Sequence, residues 1–172
     1  MEDAEQWSRQ RTTHSGFSFY VRPARPEDES ELATFFEHVT PEDRRFRFLS
    51  SVKLGHDQLA AMTNVDHHQT ESFVALGEGG KIVATGMLAC DADLAVGEVA
   101  ISVSGEFKNR GIGWEMLRHL TQYAEARGIQ RLQSLENRAN KSAIQIEEEF
   151  GFKSETYPGD STLVLLQQTL AA

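Results

Sequence analysis

The chain is short of several things, and each shortage narrows what it can be. It has one cysteine, Cys90, among 172 residues, so no disulfide forms within it, which fits a reducing cytoplasm. No apolar run approaches the ~18 residues that a bilayer-spanning helix needs, and the opening MEDAEQWSRQRTT holds no apolar signal segment. Basic residues are outnumbered, 17 Lys and Arg against 26 Asp and Glu, for a formal charge of −9. A nucleic-acid binder needs a basic face, so that class is disfavoured, whereas a cationic partner such as an amine suits the charge. Asp66-His67-His68 is the one cluster that hints at a metal, but no second set of ligands stands at a usable spacing, and it reads as loop. Internal repeats and low-complexity tracts are absent. What is present, 40% hydrophobic and 25% charged residues, is the make-up of one globular domain with a substantial core.

Taken in order, residues 1–16 are polar without periodicity and read as a poorly ordered tail or a loosely docked extension, with the domain proper at 17–172. Phe17 to Arg22 alternates as a half-buried strand. Leu32, Phe35, Phe36 and Val39 form one apolar helical face after the acidic start Pro26-Glu27-Asp28-Glu29. Thr40-Pro41 predicts a second helix start, leading into Arg44 to Leu49 (RRFRFL), whose phenylalanines are expected to be buried. A third helical stretch covers about Asp57 to Met62. Ser72–Leu76 and Lys81–Ala89 are strands joined by Gly77-Glu78-Gly79-Gly80, a hairpin signal, and Glu98–Ser104 completes an antiparallel meander. A helix after Gly111, a strand at Gln130–Leu135 in parallel crossover pairing, a helix at Asn140–Phe150 and two last strands follow. The fold class is α/β (α+β): a mixed central sheet of six to seven strands flanked by about four helices.

The stretch EVAISVSGEFKNRGIGW, Glu98 to Trp114, organises the rest. A β-branched strand runs through a short polar loop into Arg110-Gly111-Ile112-Gly113 at a helix start. Unpaired N–H groups of a first helical turn point outward, and glycine lets an anion approach them. The third glycine of a dinucleotide fingerprint is replaced by Met116, and no Gly-Lys-Ser/Thr of a Walker loop follows. On the loop alone, an anion site and a plain helix cap are equally good readings.

The wider arrangement separates them. Lys108-Asn109-Arg110-Gly111-Ile112-Gly113 resembles the Q/R-x-x-G-x-G/A signature of the GNAT acyltransferase superfamily, with lysine at the first position. Asn140 to Phe152 (NKSAIQIEEEFGF) resembles that superfamily's second motif, N-x-x-A with a terminal Gly-Phe. The strand order over 17–169 agrees as well. RPARPEDESELATFFEHVTPEDRRFRF and GEVAISVSGEFKNRGIG are most similar to the acetyltransferase domain of bacterial Pat-type protein-lysine acetyltransferases.

The resemblance implies acetyl-CoA as donor, no metal, and an amine acceptor, first a protein lysine side chain. Small-molecule amines or polyamines are an alternative, and a non-catalytic acyl-CoA-binding regulatory module is another. It places the coenzyme A pyrophosphate on Lys108, Asn109, Arg110, Gly111, Ile112 and Gly113, the pantetheine arm along Ile101, Ser102 and Val103, and a further contact on Asn140. An N–H near Val103 is expected to polarise the thioester carbonyl. Glu98 is the implied general base, with partial burial expected to raise its pKa. Where many GNATs carry a tyrosine general acid this sequence has Glu147, in a glutamate run that reads as a solvated helix face. The proton donor is thereby left unassigned. Cys90 reads as a core thiol.

Overall fold

The computed structural model describes residues 4–48 and 54–170; Leu49 of the RRFRFL run and the outermost residues of both terminal segments lie outside them. Among the described residues the chain forms eight strands and five α-helices. The strands are β1 (Arg9–Thr12), β2 (Ser18–Pro23), β3 (Thr70–Leu76), β4 (Ile82–Cys90), β5 (Val96–Val103), β6 (Arg131–Asn137), β7 (Lys153–Thr156) and β8 (Leu163–Thr169). The helices are α1 (Glu29–Glu37), α2 (Pro41–Phe48), α3 (His56–Thr63), α4 (Ile112–Ala126) and α5 (Lys141–Phe150). Both totals exceed the expected numbers by one or two, and the strand missed from sequence is β1.

One sheet runs in the order β1-β2-β3-β4-β5-β6-β8-β7. All neighbours are antiparallel except β5 and β6, which pair in parallel across the α4 crossover. Helix α4 packs on one face, burying Met116, Leu117 and Leu120 in a core that includes Phe19, Phe73, Leu132 and Leu166. Each such side chain stabilises the fold by roughly 1.5–3 kcal/mol. Gly86 in β4 makes the close approach possible: a Cβ there would stand 3.1 Å from Met116 Cε and 3.3 Å from Leu120 Cδ1. The opposite face carries a second core, in which Leu32, Phe35, Phe36, Leu59 and Met62 of α1 and α3 meet Val74 and Ile82.

Two expectations change. Residues 9–12 are an edge strand, not a loose extension: Arg9–Thr12 pair with Ser18–Val21, and Trp7 is buried edge-on against His119 and Tyr123. No residue of α2 is fully buried. Phe48 packs half-buried against Phe36, ring centroids 5.6 Å apart, and Phe46 turns toward a cavity. Thr40 does cap α2, its Oγ1 accepting from the Asp43 N–H at 3.1 Å.

Candidate active site

The site begins where the sheet splits. β5 and β6 pair only from Val96↔Arg131 to Glu98↔Gln133, so beyond Glu98 the strands diverge. On its other side β5 stays paired with β4 through Ala84↔Val103. The Ser104 N–H donates to Val83 O at 2.9 Å, which sets the alternation of the antiparallel ladder. Main-chain groups of Ser102, Ala100 and Glu98 therefore turn to β4, while those of Val103 and Ile101 and the carbonyl of Val99 face the gap that β6 has left; the Val99 N–H still closes the last pairing, on Gln133. Of the three strand residues expected to bind through the backbone, Ile101 and Val103 offer those groups. Ser102 does not, although its side chain lines the same space, its Oγ buried without a hydrogen-bond partner.

A cavity of about 470 Å³ fills the split, a usual size for a small-molecule site. At its far end the loop after β5 is tied down by Gly105 N–H donating to His38 O at 2.7 Å. Gly111 then takes φ +88°, with Thr13 Cβ only 3.2 Å from where its own Cβ would lie. Only glycine adopts this left-handed turn without strain in so little room. Helix α4 starts directly after it, so the first-turn N–H groups of Ile112, Gly113 and Trp114 have no intrahelical partner. All three residues line the cavity.

Of the residues singled out from sequence, Glu98, Ile101, Ser102, Val103, Lys108, Asn109, Gly111, Ile112, Gly113 and Asn140 all border this one cavity. Arg110 does not. Its guanidinium sits over the rings of Phe107 and Phe17, 5.1 and 5.5 Å from their centroids. Lys108 Nζ is paired with Asp43 at 2.7 Å, so the loop's positive character comes from the helix start more than from free side chains. Asn140 precedes α5 and donates from Nδ2 to Glu136 Oε2 at 3.2 Å. Glu98 is exposed, not partly buried as expected.

Three groups were missed. Arg47 of α2 reaches into the cavity, bonded to Met87 Sδ at 3.4 Å. Burial lowers its pKa, while Glu136 and Glu98 oppose that shift. Glu136 of β6 lines the cavity, and Glu147 of α5 is a buried group, not a solvated one. The Glu147 carboxyl is pushed up to about 9, by burial first and then by the charge of Glu136. A signal existed in the sequence: Ala143, Glu147 and Phe150 stand at i, i+4 and i+7 on one helix face.

Other candidates fall away from this space. Asp66 closes a loop by accepting from the N–H groups of His68, Gln69 and Thr70. Among the described residues no group of three His, Cys, Asp or Glu is placed to hold a metal, and no helix is long and apolar enough to cross a membrane. Cys90 is half-buried, and burial pushes its thiol up.

Comparison with known proteins agrees with the fold. An acetyltransferase of Pseudomonas aeruginosa is 29% identical over 149 residues, which span 84% of this chain and 80% of that protein. The GNAT domain of S. lividans PAT superposes with a TM-score of 0.91 over 98% of this chain and 100% of that one, at 24% identity. A GNAT superfamily phosphinothricin acetyltransferase from Sinorhizobium meliloti, solved in complex with AcCoA, gives 0.73 over 88% of each chain at 18% identity. The model of the acetyltransferase (GNAT) family matches residues 28–152. A sheet split at β5, a glycine turn at the head of α4 and this match over most of the length lead to one conclusion: the chain belongs to the acetyltransferase (GNAT) family.

Proposed function

We propose that the chain transfers an acetyl group from acetyl-CoA to a primary amine, with a protein lysine side chain as acceptor and Glu98 as general base. One observation carries this reading: the split beyond Glu98 leaves main-chain groups of β5 open along a cavity that ends on the unpaired N–H groups of α4. The residues fit the donor. First-turn N–H groups of Ile112 and Gly113, with Asn109 and Gly111 beside them, suit a pyrophosphate. Val103 and Ile101 present alternate main-chain groups to the pantetheine amides, in the manner of an added strand. Asn140, just before α5, borders the same cavity and suits a contact to that arm.

The position of Glu98 revises one detail. Val103 lies five residues along the strand, roughly 16 Å away, too far for its N–H to polarise a carbonyl attacked by an amine that Glu98 deprotonates. The Ile101 N–H, the nearest to Glu98 that the split leaves without a ladder partner, takes that part. A lysine amine has a pKa of ~10.4 and arrives protonated, so a carboxylate at the point of entry both attracts it and removes its proton. Glu136 and Glu149 also line the cavity and suit a cation. The exposed setting of Glu98 favours an acceptor carried on a macromolecule, because an accessible base is reached by a protruding side chain without enclosing it. The motif resemblance to Pat-type domains supports the same acceptor, and the lone cysteine fits a cytoplasmic setting.

The test is thiol release from acetyl-CoA with lysine peptides and with small amines, for the wild type and Glu98→Gln. Higher kcat/KM on peptides and a loss of about 100-fold in Glu98→Gln are expected. Preference for small amines would remove the lysine assignment, an unimpaired Glu98→Gln would remove the base, and tight acetyl-CoA binding without transfer would leave a binding module.

A further inference from the structure

The chain's most unusual buried group is the trio Glu136, Ser134 and Glu147. Ser134 Oγ lies 2.6 Å from Glu147 Oε1 and 2.9 Å from Glu136 Oε1. Each contact is a hydrogen bond and needs one hydrogen, but a serine hydroxyl has a single hydrogen to donate. Two ionised carboxylates supply none. The second hydrogen must therefore sit on a carboxyl, and the burial of the two sides decides which. Glu147 is 7% exposed, with Oε2 closed from solvent and lacking any partner, whereas Glu136 is half-buried and receives the Asn140 Nδ2–H. Glu147 is the acid and donates to Ser134, which donates to an ionised Glu136.

We propose that Glu147 supplies the proton that the coenzyme A thiolate takes up as it leaves, and that Glu136 and Ser134 form the path that restores it. This rests on the acetyl transfer read from the same cavity. The amine nitrogen bonds to the thioester carbonyl carbon, and the C–S bond breaks with its electron pair going to sulfur. The Glu147 hydroxyl turns from Ser134 into the cavity and its proton moves to that sulfur, giving the free thiol and a carboxylate. The proton released by the amine goes to Glu98 and on to solvent. A solvent proton then enters at Glu136, the hydroxyl hydrogen of Ser134 passes to Glu147, and Ser134 recovers one from Glu136. Donor and acceptor are well matched, since a carboxyl near 9 gives its proton to a thiol of ~8.5. The charged groups that share the cavity with Glu147 are Glu136, Glu149, Glu98, Arg47, Asp43 and Lys108, with His14 the other titratable group, while α4 presents Trp114 and Leu117.

The experiment is the pH dependence of kcat and KM for the wild type, Glu147→Gln and Ser134→Ala, with a carboxylic-acid C=O band sought by infrared difference spectroscopy. Glutamine keeps the shape and can still donate to Ser134 but has no proton to give up. Expected are a fall in kcat of about 100-fold with KM for acetyl-CoA within twofold, and loss of the alkaline limb near pH 9. A protonated-carboxyl band at pH 7 that vanishes in Glu147→Gln is also expected, with a severalfold lower kcat in Ser134→Ala. Wild-type turnover with kcat undiminished in both variants, or no such band at pH 7, overturns this step alone. Failure of the wild type to acetylate any amine overturns the transfer reading and this step with it.

Discussion

Two buried polar clusters show how differently the same fold handles charge. Against one stretch of α4, Arg11 of β1 donates from Nε to His119 Nδ1 at 3.1 Å and from Nη2 to Gln122 Oε1 at 2.8 Å, with Glu115 Oε1 at 3.7 Å from Nη1. Opposite signs are combined there, and the cluster fastens the first strand to the domain. Beside the cavity, Glu136 and Glu147 are two carboxyl groups that would repel if both were ionised, and they are held together by one shared hydroxyl. The first cluster is built to stay as it is. The second has a proton in it that has nowhere better to go, which is the arrangement expected of a group that works. Their titrations differ in the same way. His119 is pushed down to about 3 by burial and then by Arg11, while Glu147 is pushed up to about 9 by burial and then by Glu136.

The largest effect should come from breaking the first cluster. Arg11→Ala leaves the buried Glu115 of α4 with Arg118 alone, at 3.8 Å, and removes the donors to His119 and Gln122. Losing two buried hydrogen bonds and one side of a buried ion pair costs about 3 kcal/mol, or roughly 10 °C in Tm for a chain of this size. Trp7 packs on His119, so its fluorescence should shift red before global unfolding. A cost under about 1 kcal/mol in denaturant titration, with Trp7 unmoved, would mean that the cluster is ornamental and that apolar contacts alone hold β1.

Breaking the second cluster should do the reverse. Between about 4.5 and 9 the native Glu147 keeps a proton that the unfolded chain has lost, so its contribution to stability declines as pH rises through that window. Glu147→Gln removes the decline. The variant should match the wild type near pH 4.5 and exceed it by on the order of 2–4 kcal/mol at pH 8, while losing turnover. Equal stability of the two at both pH values, by chemical denaturation, would show that Glu147 ionises freely.

The contrast also explains what the sequence made legible. The glycine turn, Asn140 and the strand leading from Glu98 could be read directly, because each is local: a residue type at a fixed spacing from its neighbours. Phe17 to Arg22 and the α1 face were readable for the same reason, since apolar residues carried the period. β1 was hidden because its one buried position is Arg11, whose partner lies 108 residues away. Glu147 was hidden inside three consecutive glutamates, of which only it is buried. Arg47 reaches the cavity only because α2 crosses over β5 and β6. Polarity predicts exposure until a partner distant in sequence removes the need for water.

The smallest effect tests whether the two clusters oppose one another in the whole molecule. Below about 6.5 the unfolded His119 binds a proton that the native one refuses until about 3, so stability falls as pH falls across that range. One proton corresponds to about 1.4 kcal/mol for each pH unit. Glu147 has the opposite slope from about 4.5 upward. Between roughly 4.5 and 6.5 the two should cancel, and wild-type stability should be flat so far as these groups decide it. Glu147→Gln should uncover the acid slope in that interval, and His119→Gln, which keeps an acceptor for Arg11, should uncover the alkaline one. The double variant should be flat again. Urea titrations at pH 5.0, 5.75 and 6.5 measure all four proteins, and identical slopes in the two single variants would break the comparison, because then neither proton resides where the burial of its group puts it.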